Sequence, residues 1–318
     1  MGTATRVPQT RLMGGEELSA DDAWRTLRRY GVRRLARDAF LRFRYGDGFS
    51  HARALGLQIC LAALPGLIAL VGLSETLHQG RFGRLAIIVL DRLSPDASQD
   101  VVQRALADSQ RHANEGGTIA LWLGLVVALI AMTTAMAQVE RGANRIYGVE
   151  RDRPFARKYG TALLMTLSAG LTVGLGLLLL VAGHAIGVAL HDVYGWSDGR
   201  VRVWNVLRWP AGILLALLSA SVLFRWSPRR RQPGYSWLAV GAGLALVLWS
   251  LFTGLLTLYA VHSATFGNTY GPLTAVMALL LWANLSGVAL LFGLAFAAQL
   301  ESCRSGRVAP VTADPGAP

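Results

Sequence analysis

The sequence predicts an all-α fold, a polytopic transmembrane helical bundle of about six helices. Its 318 residues are 53% hydrophobic and only 16% charged, with a mean hydropathy of +0.40, whereas soluble domains carry roughly 25% charged residues. Six apolar stretches recur along the chain, and each is close to or longer than the about 20 residues that cross a bilayer core as a helix. Because these stretches are too long and continuous for strands, a sheet is not expected.

The predicted spans follow the apolar stretches, and they are 54–73, 118–137, 161–190, 207–224, 236–261 and 272–300. The first contains Pro65, which removes a backbone hydrogen bond and favours a kink. The third is long enough to tilt or to project beyond the hydrocarbon core. The connection over 74–117 predicts two short amphipathic helices on the outer surface, because its apolar runs are too short to span.

We expect one transmembrane domain over 21–303, with disordered tails at 1–20 and 304–318 that are polar and rich in Gly, Pro and Ala. The N-terminal arm predicts a short amphipathic helix, since Trp24 and Phe40 are interspersed with many arginines. Such a helix can lie on an anionic inner leaflet, and a solvated juxtamembrane helix is the alternative. No cleavable signal precedes the first span, which is expected to be an uncleaved anchor.

The distribution of basic residues predicts the orientation. Arginine and lysine number 23 on the side that would hold both chain ends and eight on the other side. Because cytoplasmic flanks are enriched in these residues, we expect a multi-pass plasma or inner membrane protein with both termini in the cytoplasm. The same asymmetry explains the net charge of +12 without a nucleic-acid partner.

The sequence lacks the patterns that carry the common chemistries. It contains no Walker loop, no HExxH and no paired Cys or His at metal-ligand spacing. No carboxylate lies well inside a predicted span, and no paired acids suit metal-dependent phosphodiester hydrolysis. We therefore expect neither an enzyme nor a bound metal or cofactor.

Three stretches carry a resemblance to a known family. The first is Asp47-Gly48 followed by an apolar helix with Pro65, and the second is QVERGANRIYGVERDRPFARKY over 138–159. The third is the last helix pair, with Tyr259, Phe266, Tyr270 and Gly271 in its hairpin, followed by Leu280, Leu281 and Trp282. Together they resemble the YihY/BrkB family of membrane proteins, formerly mislabelled ribonuclease BN.

The resemblance covers most of residues 25–301. It implies six transmembrane helices and supplies no settled activity. The family approaches its first proline through a more aromatic, Ser-Leu-Phe-Pro-like run, whereas this chain has Ala62-Ala63-Leu64-Pro65.

The second of these stretches contains the strongest polar cluster, which we call the loop latch. It comprises Glu140, Arg141, Asn144, Arg145, Arg153 and Pro154. Helical spacing places Glu140 and Asn144 on one face and Arg141 and Arg145 on another, and Pro154 suits the start of the next helix. The cluster can dock the cytoplasmic loop or gate a pathway. A structural salt bridge at a solvated helix end is the alternative, and we favour it.

Four further residues are candidates for interior polar or kink positions: Gln58, Pro65, His184 and Asn284. Polar residues within spans are functional candidates by default, and broken helices occur at transporter sites. Packing and interhelical hydrogen bonding are the favoured alternatives for His184 and Asn284. For Pro65 we favour a kink that serves packing, with Gln58 facing the interior beside it.

Two small-residue pairs in the third span predict close helix packing. They are Gly170 with Gly174 and Gly183 with Gly187. Because the pairs project on different faces, the third helix is expected to be central and to contact two neighbours. A homodimer seam, and thus a homo-oligomer, is the alternative.

Two functions remain open from the residues alone. The first is transport, or facilitated flux, of a small molecule or lipid of unspecified identity. The second is a non-catalytic envelope or scaffold protein, and a ribonuclease is the least favoured class.

Overall fold

The computed structural model describes residues 5–10, 18–76, 117–262 and 272–313. Helices dominate these ranges, which confirms the all-α prediction. In chain order the elements are β1 (Thr5–Arg6), α1 (Ala20–Tyr30), α2 (Val32–Tyr45), α3 (Gly48–Thr76), α4 (Gly117–Ile146), α5 (Phe155–Met165), a π-helical turn (Thr166–Gly170), α6 (Leu171–Leu177), a second π-helical turn (Leu178–Ala182), α7 (Gly183–Tyr194), α8 (Asp198–Trp226), α9 (Tyr235–His262), α10 (Pro272–Arg304) and β2 (Thr312–Ala313).

Five helical segments in the described ranges are long and apolar enough to cross a membrane. They are Trp122–Ile146, Phe155–Leu180, Asp198–Trp226, Tyr235–Tyr259 and Val276–Arg304. These segments overlap the second to sixth predicted spans. The first predicted span lies within α3, which continues as a helix through Pro65.

The two short strands bear on the number of crossings. Thr5 pairs with Ala313 and Arg6 with Thr312 in an antiparallel ladder, so these two parts of the chain lie on the same side of any membrane. Five crossings between them would place them on opposite sides. An even number of crossings agrees with the strand pairing, and α3 is not among the five candidate spans of the described residues, so a sixth crossing by this helix stays a prediction.

Composition assigns residues 5–10 and 307–313 to disordered tails, yet the structure gives them definite partners. The backbone groups of the two strands pair with each other. Val7 and Thr10 are buried, and the backbone N–H of Thr10 donates to the carbonyl of Tyr147 at 3.3 Å. These contacts join segments distant in sequence, which composition cannot reveal.

Some predictions fall outside the described residues. They concern the two short helices of the first outer loop within 77–116, the hairpin residues Phe266, Tyr270 and Gly271, and the remaining tail segments at 1–4, 11–17 and 314–318.

The chain divides into two compact units. The first comprises Met1–Cys60, Met132–Gly170 and Leu217–Pro318, and the second comprises Leu61–Ala131 and Leu171–Ala216. The candidate polar clusters lie in the first unit, which also contains the largest buried core.

The N-terminal arm forms two helices that pack on α9 and α10 of the first unit. Ser19 caps α1, because its side chain accepts a hydrogen bond from the backbone N–H of Asp22 while Asp22 accepts from the Ser19 backbone. Gly31, with φ of 81°, ends α1 and allows the turn into α2. The face bearing Leu35 and Phe43 is buried, so the arm is part of the core.

Helices α9 and α10 approach so closely that their backbones touch. A Cβ atom on Gly241 would lie 2.6 Å from the carbonyl oxygen of Gly293, and the reverse distance is also 2.6 Å. Small residues at this crossing let two apolar helices gain van der Waals contact where the lipid gives no hydrophobic driving force.

Candidate functional site

A buried ion pair anchors the loop latch. Glu140, at the end of α4, is fully buried, and its Oε2 lies 2.9 Å from Nη1 of Arg153. The backbone N–H of Arg153 also donates to Oε1 of Glu140 at 3.4 Å. The predicted face of α4 is thus the one that receives the loop.

Arg153 links this pair to the loop that follows α8. Its guanidinium donates to the carbonyls of Trp226, Ser227 and Pro228 at 3.1, 2.9 and 3.0 Å. One planar side chain therefore fixes three backbone carbonyls at a helix end, where such groups lack helical partners.

Asn144 makes the second connection between the two loops. Its amide nitrogen donates to Oδ1 of Asp152 at 2.9 Å, and its carbonyl oxygen accepts from the backbone N–H of Arg229 at 2.7 Å. Asp152 in turn accepts from Lys158 at 2.6 Å. Burial opposes ionisation of Asp152, but the hydrogen bonds from Lys158 and Asn144 outweigh it and lower the pKa of its carboxyl group.

The remaining latch residues are peripheral. Arg141 is half exposed and lies 3.7 Å from Asp152, and Arg145 is exposed. Pro154 directly precedes α5, as its residue type predicts, and its carbonyl accepts the N–H of Lys158 at 2.8 Å.

A second buried cluster centres on Arg42 of α2, which is fully buried. Its guanidinium donates to Gln299 at 3.0 Å, to the hydroxyl of Ser302 at 2.9 Å, and to the carbonyls of Ile146 at 3.1 Å and Pro8 at 3.4 Å. Desolvation lowers the pKa of Arg42 to about 10, so the group remains a cation at neutral pH. Three segments of the chain thus converge on the one charge that α2 supplies.

Arg230 is the second buried cation of this region. It pairs with Glu301 and contacts the hydroxyl of Thr10, and its guanidinium lies 4.8 Å from the ring centroid of Tyr147. Burial raises the pKa of the Tyr147 hydroxyl well above its ordinary value, and the negative charge of the nearby Glu301 adds to this effect.

Sequence reasoning missed Arg42 and Arg230, because each stands in a run of arginines whose other members are exposed. The only available signal is in α2, where Arg42 recurs at helical spacing with the apolar Leu35, Ala39 and Phe43.

A cavity of about 770 Å³ opens beside the latch in the first unit. Its walls come from β1 and the residues after it, from the turn between α2 and α3, and from the loop after α4. The charged lining residues are Arg6, Asp47, Arg145, Glu150 and Arg151.

The four candidate interior residues do not form one cluster in the structure. Gln58 is half-buried, and its Oε1 accepts a hydrogen bond from Thr134 at 2.9 Å. Seven residues earlier on α3, Nδ1 of His51 lies 2.9 Å from the amide nitrogen of Gln138. These four residues form two polar contacts between α3 and α4, and we call them the α3–α4 seam.

Asn284 and His184 do not join this seam. The backbone of Asn284 lies against Gly56 of α3, where a Cβ atom would be 2.9 Å from the Asn284 nitrogen. His184 is exposed on α7, and its Nδ1 lies 3.4 Å from the side-chain oxygen of Asn205. This contact joins α7 to α8 and agrees with the interhelical hydrogen bond favoured for His184, whereas a functional role for its imidazole stays a prediction. Pro65 is half-buried within α3.

The glycine pairs of the third span differ in what they contact. A Cβ on Gly183 would lie 2.8 Å from Arg208 of α8, and one on Gly187 would lie 2.8 Å from Trp204. Trp204 also donates to the Gly183 carbonyl at 2.6 Å. A Cβ on Gly170 would make only ordinary contact with Met132, and one on Gly174 would meet open space.

A close backbone crossing among the described residues of the second unit was missed. It joins Gly176 to Gly212, where a Cβ on either residue would lie 3.2 Å from the other carbonyl. An i, i+4 glycine pattern does not reveal it, since each helix contributes a single glycine.

Within the described ranges no group of three or more His, Cys, Asp and Glu side chains could hold a metal ion. The clusters are instead arginine-centred hydrogen-bond networks. Their chemistry is positional, because guanidinium groups bind carbonyls and carboxylates in fixed geometry.

The long apolar helices and the charged networks define a polytopic helical membrane protein. A family model described as "Virulence factor BrkB" matches residues 39–315. The chain belongs to the BrkB family, which confirms the resemblance seen in the sequence.

Individual relatives are similar at lower identity. YfkH of Bacillus subtilis, named a ribonuclease-like protein, is 26% identical over 257 residues, covering 81% of this chain and 91% of the relative. A UPF0761 membrane protein of Chromohalobacter salexigens is 28% identical over 89% of this chain and 66% of its own length. One from Alteromonas mediterranea is 29% identical over 68% of this chain and 70% of its own length. No solved structure matches the chain.

Proposed function

We propose that this chain facilitates the flux of a small polar molecule or a lipid across the membrane. The observation that carries the proposal is the α3–α4 seam. Its four polar side chains face one another along two helices. Gln58 and Thr134 lie within predicted spans, where polar groups are costly unless they serve packing or a pathway.

The geometry of the seam suits a pathway entrance. His51 and Gln58 are two helical turns apart, about 10 Å along α3, and Thr134 and Gln138 are one turn apart on α4. The contacts of the seam therefore run from the polar end of the unit toward its apolar part. Each contact joins neutral groups, which can exchange one hydrogen bond for another at low cost.

Reconstituted proteoliposomes test the proposal. We expect the full chain to accelerate flux of at least one probe from a panel of radiolabelled small solutes and fluorescent phospholipid analogues. The variant T134V removes the hydroxyl that bonds Gln58 and should change the rate. The matched control is T257V, since Thr257 is exposed and its hydroxyl donates to the carbonyl of Thr253 within the same helix. Absence of flux over the whole panel, or equal rates for the two variants, would refute the proposal.

A scaffold function is the second candidate, and the loop latch favours it. The latch joins two loops through buried charges and backbone carbonyls, so it presents one rigid polar surface to a partner. Crosslinking from this surface in intact cells should recover a reproducible protein if the scaffold function holds. Recovery of lipid alone would argue against it.

We further propose that this polar surface faces the cytoplasm, as the arginine distribution indicates. Single cysteines at exposed positions test the orientation, R307C on the proposed cytoplasmic side and G199C on the opposite side. A membrane-impermeant maleimide applied to intact cells should label G199C only. Labelling of R307C alone would reverse the orientation.

The N-terminal arm supports an interaction with anionic lipid at the same surface. Trp24 and Phe40 are 54% and 43% exposed although one face of α1 and α2 is buried, and exposed arginines surround them. Aromatic and basic side chains together bind anionic interfaces. The double variant W24A/F40A should weaken binding of the chain's polar face to supported bilayers that contain phosphatidylglycerol.

We do not propose a nucleic-acid partner or a catalytic activity, and the ribonuclease-like name belongs to the Bacillus subtilis relative. The homo-oligomer stays a prediction. Gly183 and Gly187 contact the chain's own α8, so this pair is not available as a dimer seam.

A further inference from the structure

We infer that the cavity beside the loop latch is a binding site for a phosphate group, held by the guanidinium groups of Arg145 and Arg151. This inference does not depend on the flux proposal, since a scaffold protein could use the same site. The phosphate can belong to a lipid headgroup or to a soluble phosphorylated molecule, and the experiment below distinguishes the two.

The cavity has the size of a small-molecule site. Its volume of about 770 Å³ lies within the range of roughly 300–1,000 Å³ that is typical of ligand pockets. A phosphate with a substantial attached group would fit within it.

The walls of the cavity are built into the fold. Arg42 lies behind them and donates to the carbonyls of Pro8 and Ile146, so one buried cation joins two of the walls. Gly148, with φ of 71°, lets the wall after β1 approach, since a Cβ there would lie 2.6 Å from the Gln9 nitrogen. A cavity with pinned walls needs little reorganisation to bind a ligand.

The charges in the cavity favour an anion. Arg6 already pairs with Glu150 at 3.4 Å. Among the described residues, the guanidinium groups of Arg145 and Arg151 form no ion pair, and Asp47 is the only other carboxylate of the described lining. Two unpaired guanidiniums at one cavity can bind the oxygens of a phosphate through charge-assisted, bidentate hydrogen bonds.

Asp47 is the determinant that limits affinity for an anion. It stands between α2 and α3 with φ of 55°, a conformation that Asn tolerates equally well. The variant D47N therefore removes a negative charge from the lining without straining the turn, and it should tighten phosphate binding.

The experiment uses the full chain in nanodiscs of neutral phosphatidylcholine. Glycerol 3-phosphate is the soluble probe and is followed by titration calorimetry. Dihexanoyl phosphatidylglycerol is the lipid probe and is followed by native mass spectrometry. We expect saturable binding of at least one probe, and the probe that binds identifies the source of the phosphate.

Variants connect the binding to the cavity. R145Q/R151Q should weaken binding by about tenfold or more, since two charge-assisted contacts are lost, and R145K/R151K should retain part of it. The matched control is R157Q, because Arg157 is exposed and lies outside the cavity, and its affinity should stay unchanged. D47N should bind more tightly than the unmodified chain.

Three outcomes would overturn the inference. They are no saturable binding of either probe, equal weakening by R145Q/R151Q and R157Q, and weaker binding by D47N. All substituted side chains are exposed or at a turn, so we expect the variants to fold. A melting curve that matches that of the unmodified chain checks this. Absence of flux by an unmodified chain that binds phosphate would count against the flux proposal alone.

Discussion

Replacing Arg153 by alanine should destabilise the chain strongly. Glu140 is fully buried and loses the cation paired with it, while three backbone carbonyls lose their donor. Breaking a buried ion pair by removing one partner costs about 3–5 kcal/mol, because an uncompensated charge remains in the interior.

The reverse change should cost less. In E140Q, Arg153 keeps its three carbonyl acceptors and its side chain is 18% exposed, so its charge remains solvated in part. We expect the free energy of unfolding to fall by about 1–3 kcal/mol, which is the cost of one imperfectly paired buried group. The ordering of the two variants is thus a consequence of unequal burial.

Thermal unfolding in detergent, followed by tryptophan fluorescence, measures the difference. A change of 1 kcal/mol lowers the Tm of a 150–250-residue domain by about 2–4 °C, so R153A should lower it by about 6–20 °C. The double variant E140Q/R153A should be less destabilised than the sum of the single variants, because the orphaned charge is gone.

The matched control for R153A is R157A, one turn further along at an exposed position. It should leave the Tm nearly unchanged, as surface substitutions usually do. If R153A and R157A melt together, the ion pair is not a stabilising element and the reasoning on the latch fails.

Three further predictions concern packing and pH. G293V places atoms against the Gly241 carbonyl, where a Cβ would already lie at 2.6 Å. It should lower the free energy of unfolding by about 1–3 kcal/mol or more, measured by melting experiments. The control G243V should have no such effect, because a Cβ there meets open space. G148A imposes φ of 71° on a residue with a Cβ and should cost about 1–3 kcal/mol, measured by the same assay. Burial lowers the pKa of His51 below 6.5, so its stabilisation is present above pH 6.5 and declines as the pH falls toward the lowered pKa. Melting curves between about pH 5 and 8 should show this decline for the unmodified chain and a smaller one for H51Q, and equal declines would contradict it.

The helices and their membrane class were predictable from the sequence. A span needs only length and apolar composition, and both are local properties of the chain. The face of α4 bearing Glu140 and Asn144 was predictable for the same kind of reason, since residues four apart share a side of any helix. The hydrogen bond from the backbone N–H of Arg229 to Asn144 was not predictable, because loops far apart in sequence meet only after the helices pack.

The same limit explains what the sequence did not reveal. The span that contains His184 is apolar on all sides, and such a helix carries no signal of which side faces its neighbours, so the contact of His184 with Asn205 could not be predicted. Arg42 looked like one more arginine of a basic arm, although it is the cation on which three other segments converge.

By itself the sequence determined the class of protein, the position of five of its predicted spans and the family to which it belongs. These depend on the transfer of long apolar segments from water to lipid, which is a sum over neighbouring residues. Only the tertiary structure decided which arginines are buried, which glycines touch and where the cavity opens. Those features depend on distances between residues up to 260 positions apart, such as Arg42 and Ser302, and packing alone brings such residues together.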